Sequence, residues 1–228
     1  MKTYRSIALA ILLLTASLTL SACADMPKSP AEQEEFKATN DPLEPMNRTV
    51  FDVNDFLDRL LMRPLAELYR ALIPPGIRDR VAGVVTNMKE PVIFANDLMQ
   101  GELGKAGTTI ERFGINTTLG IGGMWDIASS EWGLYQQTGD FGQTLASWGV
   151  KEGPYLVIPL FGPSNFRDGI GLGVDMAMSP WSYIVYTDGV TAGDTYNIAS
   201  FTADGLVRRE QNIEGIDALR EGSLDFYA

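Results

Sequence analysis

The amino-acid sequence predicts a mainly α-helical chain whose helices are broken into a flattened assembly, with at most a short strand or hairpin. Three observations carry that expectation. Apolar residues recur at helical spacing through most of the chain after residue 40. Proline and glycine, 12 and 23 of 228 residues, interrupt those stretches too often for a regular bundle. No stretch alternates apolar and polar residues for long enough to build a sheet.

The chain divides at the sequence level into residues 1–22, a signal peptide; 23–39, an acylated flexible tether; and 40–228, a helical domain. Lys2 and Arg5 form a basic start, and residues 7–20 are apolar apart from Thr15, Ser17 and Thr19. The segment closes on small residues and is too short and wrongly flanked for a stable spanning helix. Its end, Leu20-Ser21-Ala22-Cys23, resembles the bacterial lipobox and carries the only cysteine. That resemblance implies that the Cys23 thiol takes a diacylglyceryl group, that cleavage precedes it, and that the new amino terminus is acylated again. At about 0.8 kcal/mol per buried CH₂, three chains make dissociation negligible. Ala24 follows where an Asp would imply inner-membrane retention, with Asp25 one place later, so the resemblance implies sorting to the outer membrane.

Residues 24–39 hold Pro27, Pro30, Glu32, Glu34 and Glu35 and almost nothing apolar, a composition suited to a tether. A coil of that length reaches roughly 20–24 Å. Asp41-Pro42-Leu43-Glu44 then reads as a helix cap with proline in the first turn. From Val50 onward Val53, Phe56, Leu57, Leu60 and Leu61 share one helical face, with Asp52, Asn54, Asp55, Asp58 and Arg59 opposite, and Arg63-Pro64 ends or kinks the segment. Further helices are expected over residues 65–73, 77–89, 92–100, 105–116, 141–148 and 165–178, with Glu90-Pro91 separating the second and third. Tyr155-Leu156-Val157-Ile158, between Pro154 and Pro159, is the one convincing extended run.

Composition removes several functions. There is no histidine, so no Ser-His-Asp or Cys-His pair and no His-ligated metal, and a single cysteine makes neither an internal disulfide nor a thiolate cage. With 18 Lys and Arg against 29 Asp and Glu, the net charge of −11 argues against a nucleic-acid partner. Loss of the signal peptide removes Lys2 and Arg5 and makes the chain more acidic still. Gly169-Ile170-Gly171-Leu172-Gly173 lacks the spacing and the preceding strand of a dinucleotide loop, and Gly169 and Gly173 read as a small-residue face for close packing. No serine stands in a Gly-x-Ser-x-Gly elbow. Asp52 with Asp55, and Asp140 with Glu152, are acid pairs on a surplus of acids and read as solvated surface, as does Arg208-Arg209-Glu210. No enzyme, cofactor or metal is implied. Trp125, Trp132, Trp148 and Trp181, with Tyr135, Tyr155, Tyr183 and Tyr186, suit either a core or the headgroup level of a bilayer, and the lipid anchor favours the bilayer.

Several blocks in one order carry a family resemblance: Asn40-Asp41-Pro42-Leu43-Glu44-Pro45-Met46-Asn47-Arg48, Glu90-Pro91, Asn96-Asp97-Leu98-Met99-Gln100-Gly101, Arg112-Phe113-Gly114-Ile115-Asn116-Thr117-Thr118-Leu119-Gly120, Gly122-Gly123-Met124-Trp125-Asp126-Ile127-Ala128, Phe141-Gly142-Gln143-Thr144-Leu145 and Gly153-Pro154-Tyr155-Leu156-Val157-Ile158-Pro159-Leu160-Phe161-Gly162-Pro163-Ser164. Arg167-Asp168 and Asp204-Gly205 continue it. Over about residues 40–225 the chain resembles the MlaA/VacJ outer-membrane lipoproteins. The resemblance implies a ring- or disc-shaped helical assembly embedded in the outer membrane from the periplasmic side, with an amphipathic channel. Through it, mislocalised outer-leaflet phospholipid passes to a periplasmic lipid-binding protein, MlaC, for retrograde transport that maintains lipid asymmetry. A porin trimer is the implied neighbour. Relatives usually continue beyond Leu224-Asp225-Phe226-Tyr227-Ala228 into a basic helix.

Within this frame the helix over residues 47–61 is expected to flank or gate the path, since Asn47, Asn54, Asp55 and Asp58 lie on its polar side. The competing reading turns that side to periplasmic water. At the level of function, the alternatives are a structural lipoprotein that braces porins without moving lipid, and a lipid hydrolase, against which the composition argues.

Overall fold

The computed structural model describes residues 40–182 and 192–227, with the backbone alone for residue 182 and residues 192–199. The signal peptide, the tether with Cys23, and the aromatics Tyr183 and Tyr186 lie outside the described residues. In chain order the elements are α1 (Glu44–Leu57), a π-helical turn (Asp58–Met62), α2 (Arg63–Leu72), α3 (Pro75–Met99), α4 (Leu103–Thr118), α5 (Ile127–Trp132), α6 (Phe141–Ser147), β1 (Tyr155–Ile158), β2 (Gly162–Asn165), α7 (Phe166–Met178), a 3₁₀ turn (Pro180–Ser182), α8 (Ala192–Gln211) and α9 (Ile213–Gly222). The fold is mainly helical with one short antiparallel hairpin among the described residues, as the sequence predicts.

Two proline expectations are corrected. Pro91 lies inside α3, a helix that runs 25 residues without a break. A proline removes the bond to the carbonyl four residues back and strains an isolated helix. Here Asn87 and Glu90 before it, and Ile93, Asn96 and Asp97 after it, are all buried and hold both halves in place. At Arg63-Pro64 there is no break either. The irregularity falls one turn earlier, where the Arg63 amide bonds to the Asp58 carbonyl in π-helical fashion. Pro64 then occupies the first turn of α2, a position that suits its fixed φ.

The described residues form two compact units. One comprises residues 40–56, 152–166 and Tyr227; the other comprises residues 57–151 and 167–226.

In the first unit, β1 and β2 pair in the register Tyr155↔Asn165, Leu156↔Ser164, Val157↔Pro163 and Ile158↔Gly162. Gly-Pro-Ser-Asn is an unpromising strand sequence, and nothing in its pattern predicts β2. The strand forms because Tyr155 and Val157 turn their peptide groups outward, to Asn40 and Asn47, so the opposite Pro163 sits where no ladder bond is required. Leu160, in the connecting turn, has φ +69°. A left-handed conformation costs a non-glycine residue roughly 1–2 kcal/mol.

In the second unit α3 packs chiefly against α4, α8 against α2 and α3, and α5 against α4. The α3–α4 pair meets the turn before α5 backbone to backbone: a Cβ at Gly83 would come within 2.3 Å of the Gly123 carbonyl oxygen. Glycine also sets the contact of α7 with α6, but at a different place from the one expected. Gly173 is exposed, and a Cβ there would find nothing within 4 Å, whereas Gly171 is buried, and a Cβ there would meet the Gly142 nitrogen at 2.4 Å.

The interior of this unit is polar. Among its described residues, ten polar or charged ones are sealed from solvent against six apolar ones, three of which are alanine. Large apolar side chains lie outside instead. Leu61, Leu65, Leu68 and Leu72 recur at helical spacing as a half-exposed ridge, and Val53 and Phe56 of the first unit are likewise exposed. No described helix is long and apolar enough to cross a membrane.

Candidate functional site

The motif Asn40 to Arg48 does its work through side-chain amides acting as extra backbone. Asn47, fully buried, donates from Nδ2 to the Tyr155 carbonyl (3.1 Å) and to Asp41 Oδ1 (2.7 Å), and its Oδ1 accepts from the Val157 amide (2.9 Å). One side chain thus pairs the open edge of β1 as a further strand would. Two helical turns later, Asn54 repeats the device: Nδ2 donates to the Ile158 carbonyl (3.1 Å) and Oδ1 accepts from the Leu160 amide (2.9 Å). Spacing of seven residues puts both amides on one face of α1, in line with the extended chain. Asp41 also accepts from the Tyr227 hydroxyl. The Tyr227 ring lies edge-on to Phe51 and Tyr155 with the Arg48 guanidinium 4.4 Å from its centroid. Burial and the Asp41 carboxylate push the Tyr227 hydroxyl pKa well up.

In the second unit, α3 and α4 carry a sealed polar network. Arg112 and Glu90 are 1% and 0% exposed and meet at 3.1 Å. The Arg112 fork also donates to the Leu134 carbonyl and to Asp126 Oδ2 (3.3 Å). Asn116 donates to Asp126 Oδ1 (2.9 Å) and accepts from the Ala128 amide (3.0 Å), while Asp126 caps α5 through the Ser129 amide. Burial pushes the Asp126 pKa up, but the bonds from Asn116, Arg112 and Ser129 outweigh it and hold the carboxyl below its ordinary value. Glu90 ends above its ordinary value because burial outweighs Arg112, and its Oε2 has no partner among the described residues. Burial likewise raises Asp97, which accepts from Thr109 (2.8 Å). A second group joins α3, α6 and α7: Thr144 donates to Asn96 (2.9 Å), and Asp175, raised by burial, accepts from Asn96 (2.8 Å) and from the Phe141 amide (3.0 Å). These residues fall largely in the blocks that carry the family resemblance, and their role is to fasten helices to one another.

Charge pairs secure α2, α8 and α9. Arg209 binds Asp58 (2.6 Å), as does Arg220 (3.3 Å), and Glu210 takes Arg70 (2.9 Å) and Arg78. Arg208-Arg209-Glu210 is therefore not a solvated face: Arg209 and Glu210 are each 6% exposed, and only Arg208 points outward. Sequence reading does not mark helices α8 and α9; α8 carries only a weak apolar period, and these ion pairs hold it to α2, α3 and the π-helical turn.

Of the four residues expected along the path, Asn47 and Asn54 fasten the hairpin within the first unit, Asp58 is paired in the second, and Asp55 is half-buried. Asp52 and Glu152 are exposed, and Asp140 caps α6 through the Gln143 amide (2.7 Å). Trp125, Trp132, Trp148 and Tyr135 are exposed, Tyr155 and Trp181 half-buried. The indoles of Trp148 and Trp181 donate to the Met99 and Met88 carbonyls, which leaves their rings free of an unpaired polar atom. Among the described residues no three His, Cys, Asp or Glu are placed to hold a metal ion.

Comparison with known proteins agrees with this architecture. The MlaA lipoprotein family matches residues 39–228. The intermembrane phospholipid transport system lipoprotein MlaA of Haemophilus influenzae is 33% identical over 91% of this chain and 80% of its own. Its Escherichia coli K12 counterpart is 30% identical over 81% of this chain and 71% of its own. An uncharacterized Rickettsia typhi protein is 41% identical over 65% of this chain, and the chain spans 59% of that relative's length. A solved structure described as the structural basis for maintenance of bacterial outer membrane lipid asymmetry superposes with a TM-score of 0.70 at 30% identity, covering 82% of this chain and 91% of that one. By its motifs, its fold and these matches, the chain belongs to the MlaA lipoprotein family.

Proposed function

We propose that this chain is an outer-membrane lipoprotein, anchored through Cys23 and embedded from the periplasmic side, that offers a passive amphipathic path to mislocalised phospholipid. Lipid leaves the outer leaflet along that path and passes to a periplasmic carrier of the MlaC kind, with a porin trimer as neighbour. The observation that carries the reading is the distribution of polarity: sealed hydrogen-bonded polar residues inside and leucine ridges outside, in a member of a family whose named relatives belong to a phospholipid transport system. A bilayer is the surrounding in which such a surface is stable, since an apolar exterior gains nothing from water and the interior bonds are already made.

A headgroup crossing hydrocarbon loses several kcal/mol of hydration unless polar groups replace it, and a polar path removes that cost while the tails stay in lipid. No bond is made or broken, so the absence of histidine costs nothing. The sequence holds no nucleotide-binding motif, so direction comes from binding by the carrier downstream. In this reading the helix with Asn47, Asn54, Asp55 and Asp58 flanks the path, the two asparagines acting through the hairpin they hold.

Labelling of surface phospholipid in a deletion strain tests the proposal. Deletion should raise the label, the wild-type gene should restore it, and Cys23→Ala should not. Unchanged surface lipid in both the deletion and the Cys23→Ala strain would remove the transport reading, and envelope weakness without a lipid change would favour a porin brace.

A further inference from the structure

We infer that the hairpin turn Pro159-Leu160-Phe161 is a point of contact with phospholipid acyl chains, and that Asn54 is the positioning residue that holds it in the presenting conformation. The inference rests on the transport reading for the bilayer it needs, and it adds a specific contact and its support.

Three independent observations converge on this turn. Leu160 has φ +69° and is 66% exposed, with Phe161 42% exposed beside it. A left-handed turn position ordinarily falls to Gly, Asn or Asp, which adopt it at little cost. Here the strained position is given to a branched apolar side chain that packs against nothing large enough to bury it, although Gly162 stands two residues on with φ +87°. Strain kept in this way points to a use for the side chain it displays.

Asn54 is the second observation. It donates to the Ile158 carbonyl and accepts from the Leu160 amide, so a single amide from α1 closes both sides of the turn. Without it the Leu160 N–H and the Ile158 carbonyl lose these bonds, and the turn is left to its own Phe161 amide to Ile158 carbonyl bond of 3.2 Å. Third, no Asp, Glu, Lys or Arg occurs in residues 153–166, while Lys151-Glu152 and Arg167-Asp168 bracket the segment. A surface turn in water would carry polar turn formers; an apolar turn between charged brackets matches a segment whose tip lies in hydrocarbon and whose ends reach the interface.

The test uses the full acylated chain reconstituted in phosphatidylcholine vesicles, with Leu160→Cys labelled by an environment-sensitive nitrobenzoxadiazole dye. Lys151→Cys serves as the interfacial control, and wild type taken through the same labelling reports any reaction at Cys23. The dye at position 160 should emit to the blue of that at 151 and be quenched by lipid carrying a nitroxide on its acyl chain. Adding Asn54→Leu should move the emission toward that of water and lose the quenching. Asn54→Asp, which keeps the acceptor for the Leu160 amide but sets a carboxylate oxygen against the Ile158 carbonyl, should fall between wild type and Asn54→Leu in both. Circular dichroism of each variant confirms that helix content is unchanged.

Water-like emission at position 160 overturns the inference. A blue shift without quenching overturns it in favour of protein contact, and a signal indifferent to Asn54→Leu removes Asn54 from the role. None of these readouts depends on transport, so a negative surface-lipid assay with positive quenching rejects the transport reading alone.

Discussion

Glu90 and Arg112 face each other across the α3–α4 contact at 3.1 Å, and neither side chain is more than 1% exposed. Removing one partner of such a pair strands the other. Arg112→Met should lower stability by about 3–5 kcal/mol, since Glu90 would stay sealed without its counter-charge. Glu90→Gln should cost less, because Arg112 keeps Asp126 and the Leu134 carbonyl. Thermal unfolding in detergent micelles orders the two variants.

Acidity should have an unusual effect on this fold. Burial raises Glu90, Asp97 and Asp175 above their unfolded values, so the folded chain binds their protons more tightly than the unfolded one. That contribution is complete below the unfolded values and is lost as pH rises through the folded ones. From these groups, stability should increase as pH falls from neutrality toward about 4. Asp126, held low, acts in the opposite sense at the acid end, its contribution being lost as pH falls through its folded value. Unfolding midpoints across that window should flatten in Glu90→Gln.

Asn47→Ala removes a donor and an acceptor that the edge of β1 depends on. Leaving the buried Val157 amide unpaired costs about 1–3 kcal/mol. Hydrogen exchange at Val157 should accelerate, and Asn47→Asp should accelerate it too, because its second oxygen would face the Asp41 carboxylate and the Tyr155 carbonyl where Nδ2 now donates.

The two glycines of α7 should respond oppositely to alanine. Gly171→Ala places a methyl 2.4 Å from the Gly142 nitrogen and must separate α7 from α6, whereas Gly173→Ala meets nothing and gains helix propensity of about 0.5–1 kcal/mol. Unfolding midpoints should fall for the first and hold or rise for the second.

Sequence periodicity locates α1 through α4, α6 and α7 to within a few residues, since apolar spacing marks a helix whichever way its apolar face turns. It does not show which face is buried. For Val53, Phe56, Leu60 and Leu61 the face is outward, which the bilayer of the proposed function would accommodate and which the usual inference from spacing to core does not foresee. Pro91 misleads because helix propensity is local, while the contacts that keep α3 continuous come from Glu90 and Asn96, paired with residues 22 and 48 or more positions away. Asn47 and Asn54 are legible as polar residues on one face. Their bonds to β1 and the turn are not, because they require residues more than a hundred positions apart.

The polar interior also decides how the fold meets temperature. The heat-capacity increment of unfolding comes from apolar surface passing into water and is reduced by polar surface. A unit whose sealed residues are mainly Arg, Glu, Asp, Asn and Thr releases less of the former on opening than one with an apolar centre. Its stability curve should therefore be broad and shallow, without the steep fall on either side of a maximum that an oily core imposes. Cooling should leave such a fold almost unaffected.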